Sequence, residues 1–161
     1  IQYRPGMGYH SRVKALKPYP PLIFAACAVV MVALRFVAPG PRLADPGLRA
    51  VGLALMGMAG TVVGIAAGHF RRRGTPVMPF QLPTSLVTTG PYAFSRNPMY
   101  LMLAVTLVGL ALWLRSATPP FVIPVFILVM NRVIIAPEEQ RLAAHFGEEY
   151  RAYCRRVRRW I

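Results

Sequence analysis

Four long apolar runs, at about residues 22–37, 48–70, 99–114 and 121–136, leave this chain few ways to fold. Each is near the roughly 17–25 residues that a helix needs to cross the hydrocarbon core of a bilayer, three of them at the short end. Flanking residues extend such helices, and the bilayer thins locally around a short one. Core helices of a soluble protein are the competing explanation, but they need a charged surface to cover them. Only 15% of the 161 residues are charged and 55% are hydrophobic, whereas ordinary globular chains carry roughly 25% charge. The expected fold is all-α: one integral membrane domain over residues 1–161, with about four transmembrane helices and a C-terminal amphipathic helix at the interface.

The formal net charge of +14 also bears on location. A strongly basic chain can bind nucleic acid, but here the basic residues lie mostly outside the apolar runs, in the end segments and a central loop. Anionic lipid headgroups are the expected partner, and no nucleic acid is expected. Arg4, Arg12, Lys14 and Lys17 load the N-terminal segment, Arg71, Arg72, Arg73 and Arg96 the central loop, and Arg141, Arg151, Arg155, Arg156, Arg158 and Arg159 the tail. The intervening turns carry Arg42 and Arg49, offset by Asp45, and Arg115. Heavy and light loads alternate, so both termini and the central loop are expected on the cytoplasmic side, in a bacterial inner membrane.

The Pro-rich stretch Lys17 to Pro21 precedes the first of several apolar runs, so it reads as a membrane segment rather than a cleaved signal peptide. The chain opens on Ile1 and not Met, so an earlier start is expected. Cys27 lies in an apolar run and Cys154 in the Arg-rich tail, so a bridge between them is not expected. His10, His69 and His145 show no metal-ligand spacing, and no metal is expected.

Gly60, Gly64 and Gly68 form two overlapping G-x-x-x-G spacings, a pattern that lets another helix approach closely in lipid, within the protomer or in a homo-oligomer. Arg35, near the end of the first run, is expected to reach the interface, and Trp113 and Tyr100 suit interfacial belts. In the tail, Leu142, Phe146, Tyr150, Tyr153, Val157 and Ile161 recur every three or four positions with arginines between them, and Gly147 interrupts. That is the pattern of a surface helix on the membrane, or of a lid over a site.

The segment Leu86 to Tyr100, L-V-T-T-G-P-Y-A-F-S-R-N-P-M-Y, is rich in groups that grip a small polar molecule. Asn97 and Pro98 suit the start of a helix as N-cap and first helical residue, and a helix N-terminus also attracts an anionic group. Glu138 and Glu139, two of five acidic residues, follow Pro137 at the end of the last run. They read either as ion-pair partners of the tail arginines or as carboxylates facing a ligand. There is no P-loop, no G-x-G-x-x-G and no Ser-His-Asp arrangement.

Taken together, L-V-T-x-G-P-Y-x-x-x-R-x-P-x-Y, a hydrophobic hairpin and E-E-x-x-L-x-x-x-F-G-x-x-Y-x-x-Y resemble the isoprenylcysteine carboxyl methyltransferase and phospholipid methyltransferase superfamily over Leu86 to Tyr153. The resemblance implies an S-adenosylmethionine-dependent integral membrane enzyme that methylates a membrane-embedded lipophilic acceptor, with a phospholipid amine as first expectation. It places the cofactor at Thr84, Ser85, Leu86, Val87, Tyr92, Asn97, Pro98, Met99, Tyr100 and Glu138, and the family motifs within residues 84–153. Arg132 and Glu139 are the candidates for acceptor binding, and no catalytic residue is assigned.

Two positions depart from the family pattern. The usual His is Asn97 here, and the Arg of prenylcysteine methylators aligns with Ile134. Arg132 lies about 160° from that position on a helix turning 100° per residue. A prenylcysteine-type carboxyl methyltransferase, a nicotinamide-dependent reductase built on the related sterol reductase core, and a non-enzymatic binder of anionic lipid stay open as alternatives.

Overall fold

The computed structural model describes residues 19–72 and 85–161. Among these the chain is helical, and the only β pairing is an isolated antiparallel bridge between Arg42 and Ser116. Helix α1 (Pro20–Val37) and helix α3 (Pro98–Leu114) both begin on a proline, whose missing N–H is one that a first turn leaves unpaired anyway. Helix α2 (Gly47–Arg72) starts where the Asp45 carboxylate accepts the Gly47 N–H at 2.7 Å.

The last apolar run belongs to an unbroken helical rod over Pro119–Phe146. It comprises a 3-10 turn (Pro119–Phe121), α4 (Val122–Val129), a π-helical segment (Met130–Ile135) and α5 (Ala136–Phe146), and α6 (Glu148–Arg156) follows it. Pro20–Val37, Gly47–Gly68 and Pro119–Phe146 are long and apolar enough to cross a membrane, and α3 is a shorter apolar helix of 17 residues. The about four transmembrane helices expected are thus four apolar rods, three of them of full spanning length.

The amphipathic tail expected from Gln140 onward, with its interruption at Gly147, is divided between α5 and α6. The fourth rod runs straight through Pro137 to Phe146, with the wider π turns ending just before that proline. Such turns are one way for a helix to absorb a local misfit. Gly147 then breaks the path with φ 53° and ψ −121°, a left-handed region that favours glycine. Helix α6 stops at Arg156, so the helical spacing ceases to apply beyond it. Val157 is buried, but Ile161 is 79% exposed, and Trp160 packs inward in its place.

The main core lies between α1, α3 and the fourth rod. Met31, Ala104, Leu107, Ala111, Leu114, Val122, Phe126, Met130, Ile134 and Ile135 bury one another there. Helix α2 packs on α3 through backbone. A Cβ added at Gly52 would lie 2.4 Å from the Gly109 carbonyl oxygen, and one at Gly109 would lie 2.7 Å from that of Gly52. Gly52, Ala59 and Ala66, seven residues apart, are the buried positions of α2 among the described side chains. The stripe of Gly60, Gly64 and Gly68 is turned roughly 100° or more away from that seam, and a Cβ at each meets nothing within 4 Å among the described residues. Among the described residues the G-x-x-x-G spacing therefore makes no close helix contact, and the α2–α3 seam runs through Gly52 instead.

At the end remote from Glu138, side chains tie the two short connections together. Arg35, near the end of α1, donates its Nε–H to the Leu114 carbonyl at 3.1 Å, one of the carbonyls that a helix C-terminus leaves open. Arg115, in the left-handed region at φ 52°, donates from Nε to the Leu43 carbonyl at 2.9 Å. The Ser116 hydroxyl donates to the Pro39 carbonyl.

Candidate functional site

Two acidic neighbours on the first turn of α5 serve different clusters. Tyr100, on the first turn of α3, donates its hydroxyl to Glu138 Oε2 at 3.2 Å, with both residues half-buried. Tyr92 sits in the 3-10 turn Gly90–Ala93, which Gly90 enters with φ 64°, and is only 8% exposed. Burial pushes the Tyr92 phenol well above its ordinary pKa, and the Glu138 charge and then Tyr153 push the same way. Tyr92 therefore lies within electrostatic reach of the Tyr100–Glu138 pair, and the three make up the candidate enclosure. Val87 and Ala66 bury against Tyr92, and Met99 packs on this group.

Tyr153 of α6 closes the far side, donating its hydroxyl to the Tyr92 carbonyl at 2.7 Å. Its own pKa is pushed up to about 12, chiefly by burial. Tyr150, Tyr153 and Val157 form a small apolar centre onto which Leu86, Leu142, Ala143 and Phe146 pack. The apolar stripe of the tail thus covers the Leu86–Tyr92 segment.

Glu139 belongs to the second cluster. Its carboxylate accepts Arg159 Nε–H at 3.1 Å and Nη2–H at 2.5 Å, and lies 3.3 Å from Arg96 Nη1. Arg96 Nη1 also reaches Cys154 Sγ at 2.6 Å. The Arg159 carbonyl takes the Asn97 side-chain amide at 3.0 Å and the Ser95 hydroxyl at 3.4 Å. The Arg96 N–H donates to the Arg158 carbonyl at 3.0 Å, and Trp160 Nε1–H donates to Asn131 Oδ1 at 3.0 Å.

Of the residues singled out in the sequence, Val87, Tyr92 and Met99 pack together, Tyr100 bonds Glu138, and Pro98 is buried at the start of α3. Ser85 is half-buried, and Leu86 faces the tail cluster rather than the Val87–Tyr92 group. Thr84 lies outside the described residues. Asn97 occupies the N-cap position and its carbonyl accepts the Leu101 N–H at 2.9 Å, but its side chain makes no cap; the amide serves the tail instead.

The two acceptor-binding candidates stand elsewhere. Glu139 is taken up by its two arginines, in the manner of the ion-pair alternative, because adjacent residues on a helix point about 100° apart. Arg132 is exposed, whereas Ile134 is 1% exposed. Spacing alone missed Ser95, Asn131, Arg159 and Trp160. The one hint was a Trp placed directly after a pair of arginines, outside the apolar period of the tail.

Chemically, the enclosure offers a carboxylate that accepts hydrogen bonds from hydroxyl or amine groups and attracts a cation, with two tyrosine rings beside it for cation–π contact. The described residues include no cluster of metal-ligating side chains.

Comparison with known proteins adds the lineage. The phospholipid methyltransferase family matches residues 48–149, from the first turn of α2 into α6. An uncharacterized protein of Haemophilus influenzae is 44% identical over 63 residues, 39% of this chain and 100% of that protein. The nickel-cobalt-cadmium resistance protein NccN of Alcaligenes xylosoxydans xylosoxydans is 36% identical over 74 residues, 46% of this chain and 34% of that protein. The chain thus covers about a third of the length of NccN. A family match over well more than half of the sequence, on a bundle of membrane-length helices, shows that this chain is an integral membrane protein belonging to the phospholipid methyltransferase family.

Proposed function

We propose that the protein transfers a methyl group from S-adenosylmethionine to a lipophilic acceptor in the bilayer, the first candidate being a phospholipid amine. The observation that carries this reading is the Tyr100–Glu138 hydrogen bond that joins the starts of α3 and α5, with the buried Tyr92 within reach of the Glu138 charge. Members of the family use S-adenosylmethionine, and the donor set fits that cofactor. Glu138 would accept hydrogen bonds from its hydroxyls, and the tyrosine faces would meet its cationic end. Bound there, the cofactor supplies an activated methyl on a sulfonium. Val87 and Met99 would keep water from the enclosure, and Tyr100 would hold the Glu138 carboxylate in place. With no covalent step required of the chain, positioning accounts for most of the rate.

The acceptor is inferred from charge. A carboxylate near the apolar end of the fourth rod needs a cation to offset its desolvation, and Ile134 is buried there while Arg132 is exposed. An amine has the opposite requirement. It must be unprotonated to attack, and apolar surroundings favour its neutral form. Such an amine would form the new N–C bond with its lone pair as the C–S bond of the donor broke toward sulfur, and the resulting ammonium would lose its proton to water.

Arg156 and Arg158 are exposed on the tail whose apolar residues pack with Leu86, which suits docking of this face on anionic headgroups at the cytoplasmic surface of a bacterial inner membrane. Calorimetry on purified protein in detergent tests the donor. Heat with S-adenosylmethionine and with its demethylated product is expected, and none with a nicotinamide nucleotide. The reverse pattern would support the reductase reading, and no heat with either would support the non-enzymatic lipid binder. Vesicles containing phosphatidylethanolamine and a farnesylated cysteine analogue, supplied with labelled methyl donor, test the acceptor. Label in the cysteine analogue alone would refute the amine.

A further inference from the structure

The last residues of the chain bind three separate pieces of the site. The Arg158 and Arg159 carbonyls hold the loop Ser95–Asn97, which leads directly into the turn carrying Tyr100. The Arg159 side chain holds Glu139, the neighbour of Glu138. Trp160 holds Asn131 in the π-helical segment of the same rod. Tyr100 and Glu138 stand on different rods, and the polar ties between these rods at this end include the Tyr100–Glu138 bond, the Arg96–Glu139 contact and this strap, beside the packing of Tyr100 on the main core.

We propose that Arg159 is a positioning residue for the methyl-donor site: its side chain fixes α5 through Glu139 while its carbonyl fixes the start of α3 through Ser95 and Asn97, and so sets the spacing of Tyr100 and Glu138. This rests on the donor reading above. The choice of arginine follows from geometry. Its planar fork engages both oxygens of Glu139 at once, whereas a lysine would contribute a single point charge. Because Arg96 also lies on Glu139, loss of Arg159 leaves that carboxylate paired, and the helices should still fold.

The test compares wild type, Arg159→Ala, Arg159→Lys, Glu139→Gln and the Arg159→Ala/Glu139→Gln double variant. Each is titrated calorimetrically with S-adenosylmethionine in detergent, with thermal unfolding measured in parallel. Arg159→Ala and Glu139→Gln should each weaken binding about three- to tenfold, the range expected for breaking one coupled pair. The double variant should be no weaker than the worse single one, and Arg159→Lys should recover part of the affinity. Should Arg159→Ala unfold, Arg159→Lys and Glu139→Gln carry the same comparison. Wild-type affinity in the single variants, or additive losses in the double one, would overturn the positioning role and leave the donor reading standing. Absence of binding by the wild type would overturn the donor reading, and this proposal with it.

Discussion

Replacing Gly52 with alanine should loosen the seam between α2 and α3, while the same replacement at Gly60 should not. At Gly52 the new methyl would lie 2.4 Å from the Gly109 carbonyl oxygen and 3.0 Å from the Trp113 nitrogen. Both are backbone atoms, so no side-chain rotation relieves the contact. Restoring an ordinary separation requires the helices to part by about 1 Å, which forfeits up to half of each van der Waals contact across the seam. Some tens of atom pairs at about 0.1–0.2 kcal/mol each then lose roughly 2 kcal/mol in sum, within the usual range for overpacking. Alanine regains up to about 1 kcal/mol over glycine in helix propensity, for a net loss of about 1–2 kcal/mol. At Gly60 the methyl enters open space, leaving the propensity gain alone. Unfolding in mixed micelles, followed by circular dichroism across a denaturing-detergent series, reads the difference. Because Ala66 on α2 buries against Tyr92, donor affinity should fall with Gly52→Ala as well. Equal stability of the Gly52→Ala protein and the wild type, or a loss at Gly60 as large as at Gly52, would refute the assignment of the seam.

Glu138→Gln should weaken binding of S-adenosylmethionine about ten- to a hundredfold, the value of a hydrogen bond to a charged, half-buried group; calorimetry would return Glu138 to a structural role if affinity did not change. Tyr153→Phe removes a buried hydroxyl from the Tyr92 carbonyl and should cost about 1 kcal/mol in stability measured by detergent unfolding. Tyr153 also contributes a pH dependence. Its proton is held up to about 12 in the folded chain but only to about 10 once unfolded, so the unfolded state binds fewer protons between those values and stability falls as pH rises through that window. The phenylalanine variant should show a shallower alkaline decline, and an identical decline would exclude Tyr153 as its source. For topology, introduced cysteines at Ala44 and Arg156, both exposed, should label from opposite sides of intact cells with an impermeant reagent; labelling of Arg156→Cys from outside would reverse the orientation.

The helical membrane architecture was legible in the sequence because it depends on composition along one dimension. Runs of about sixteen or more apolar residues with few charges have one stable solution in lipid, since every backbone polar group must be paired within its own segment. Gly147 as a break and Pro98 as a helix start were legible for a similar reason: each acts on its own backbone. The tyrosine and glutamate residues of the two motifs were visible as residue types at a characteristic separation.

Which of two adjacent glutamates turns to the tyrosines was not legible, because their roles follow from where α5 stands relative to Arg96, Arg159 and Tyr100. Nor was the seam of α2. Gly52 and Gly109 are 57 positions apart, and only the crossing of two helices sets each one's carbonyl where the other's Cβ would be, whereas the conspicuous Gly60–Gly68 spacing faces away. Tail periodicity identified Tyr150, Tyr153 and Val157, but it failed once α6 ended and the backbone turned extended at Val157. From there a carbonyl at Arg159 and an indole at Trp160 found partners in Asn97 and Asn131, contacts between segments more than 25 residues apart that no local pattern encodes.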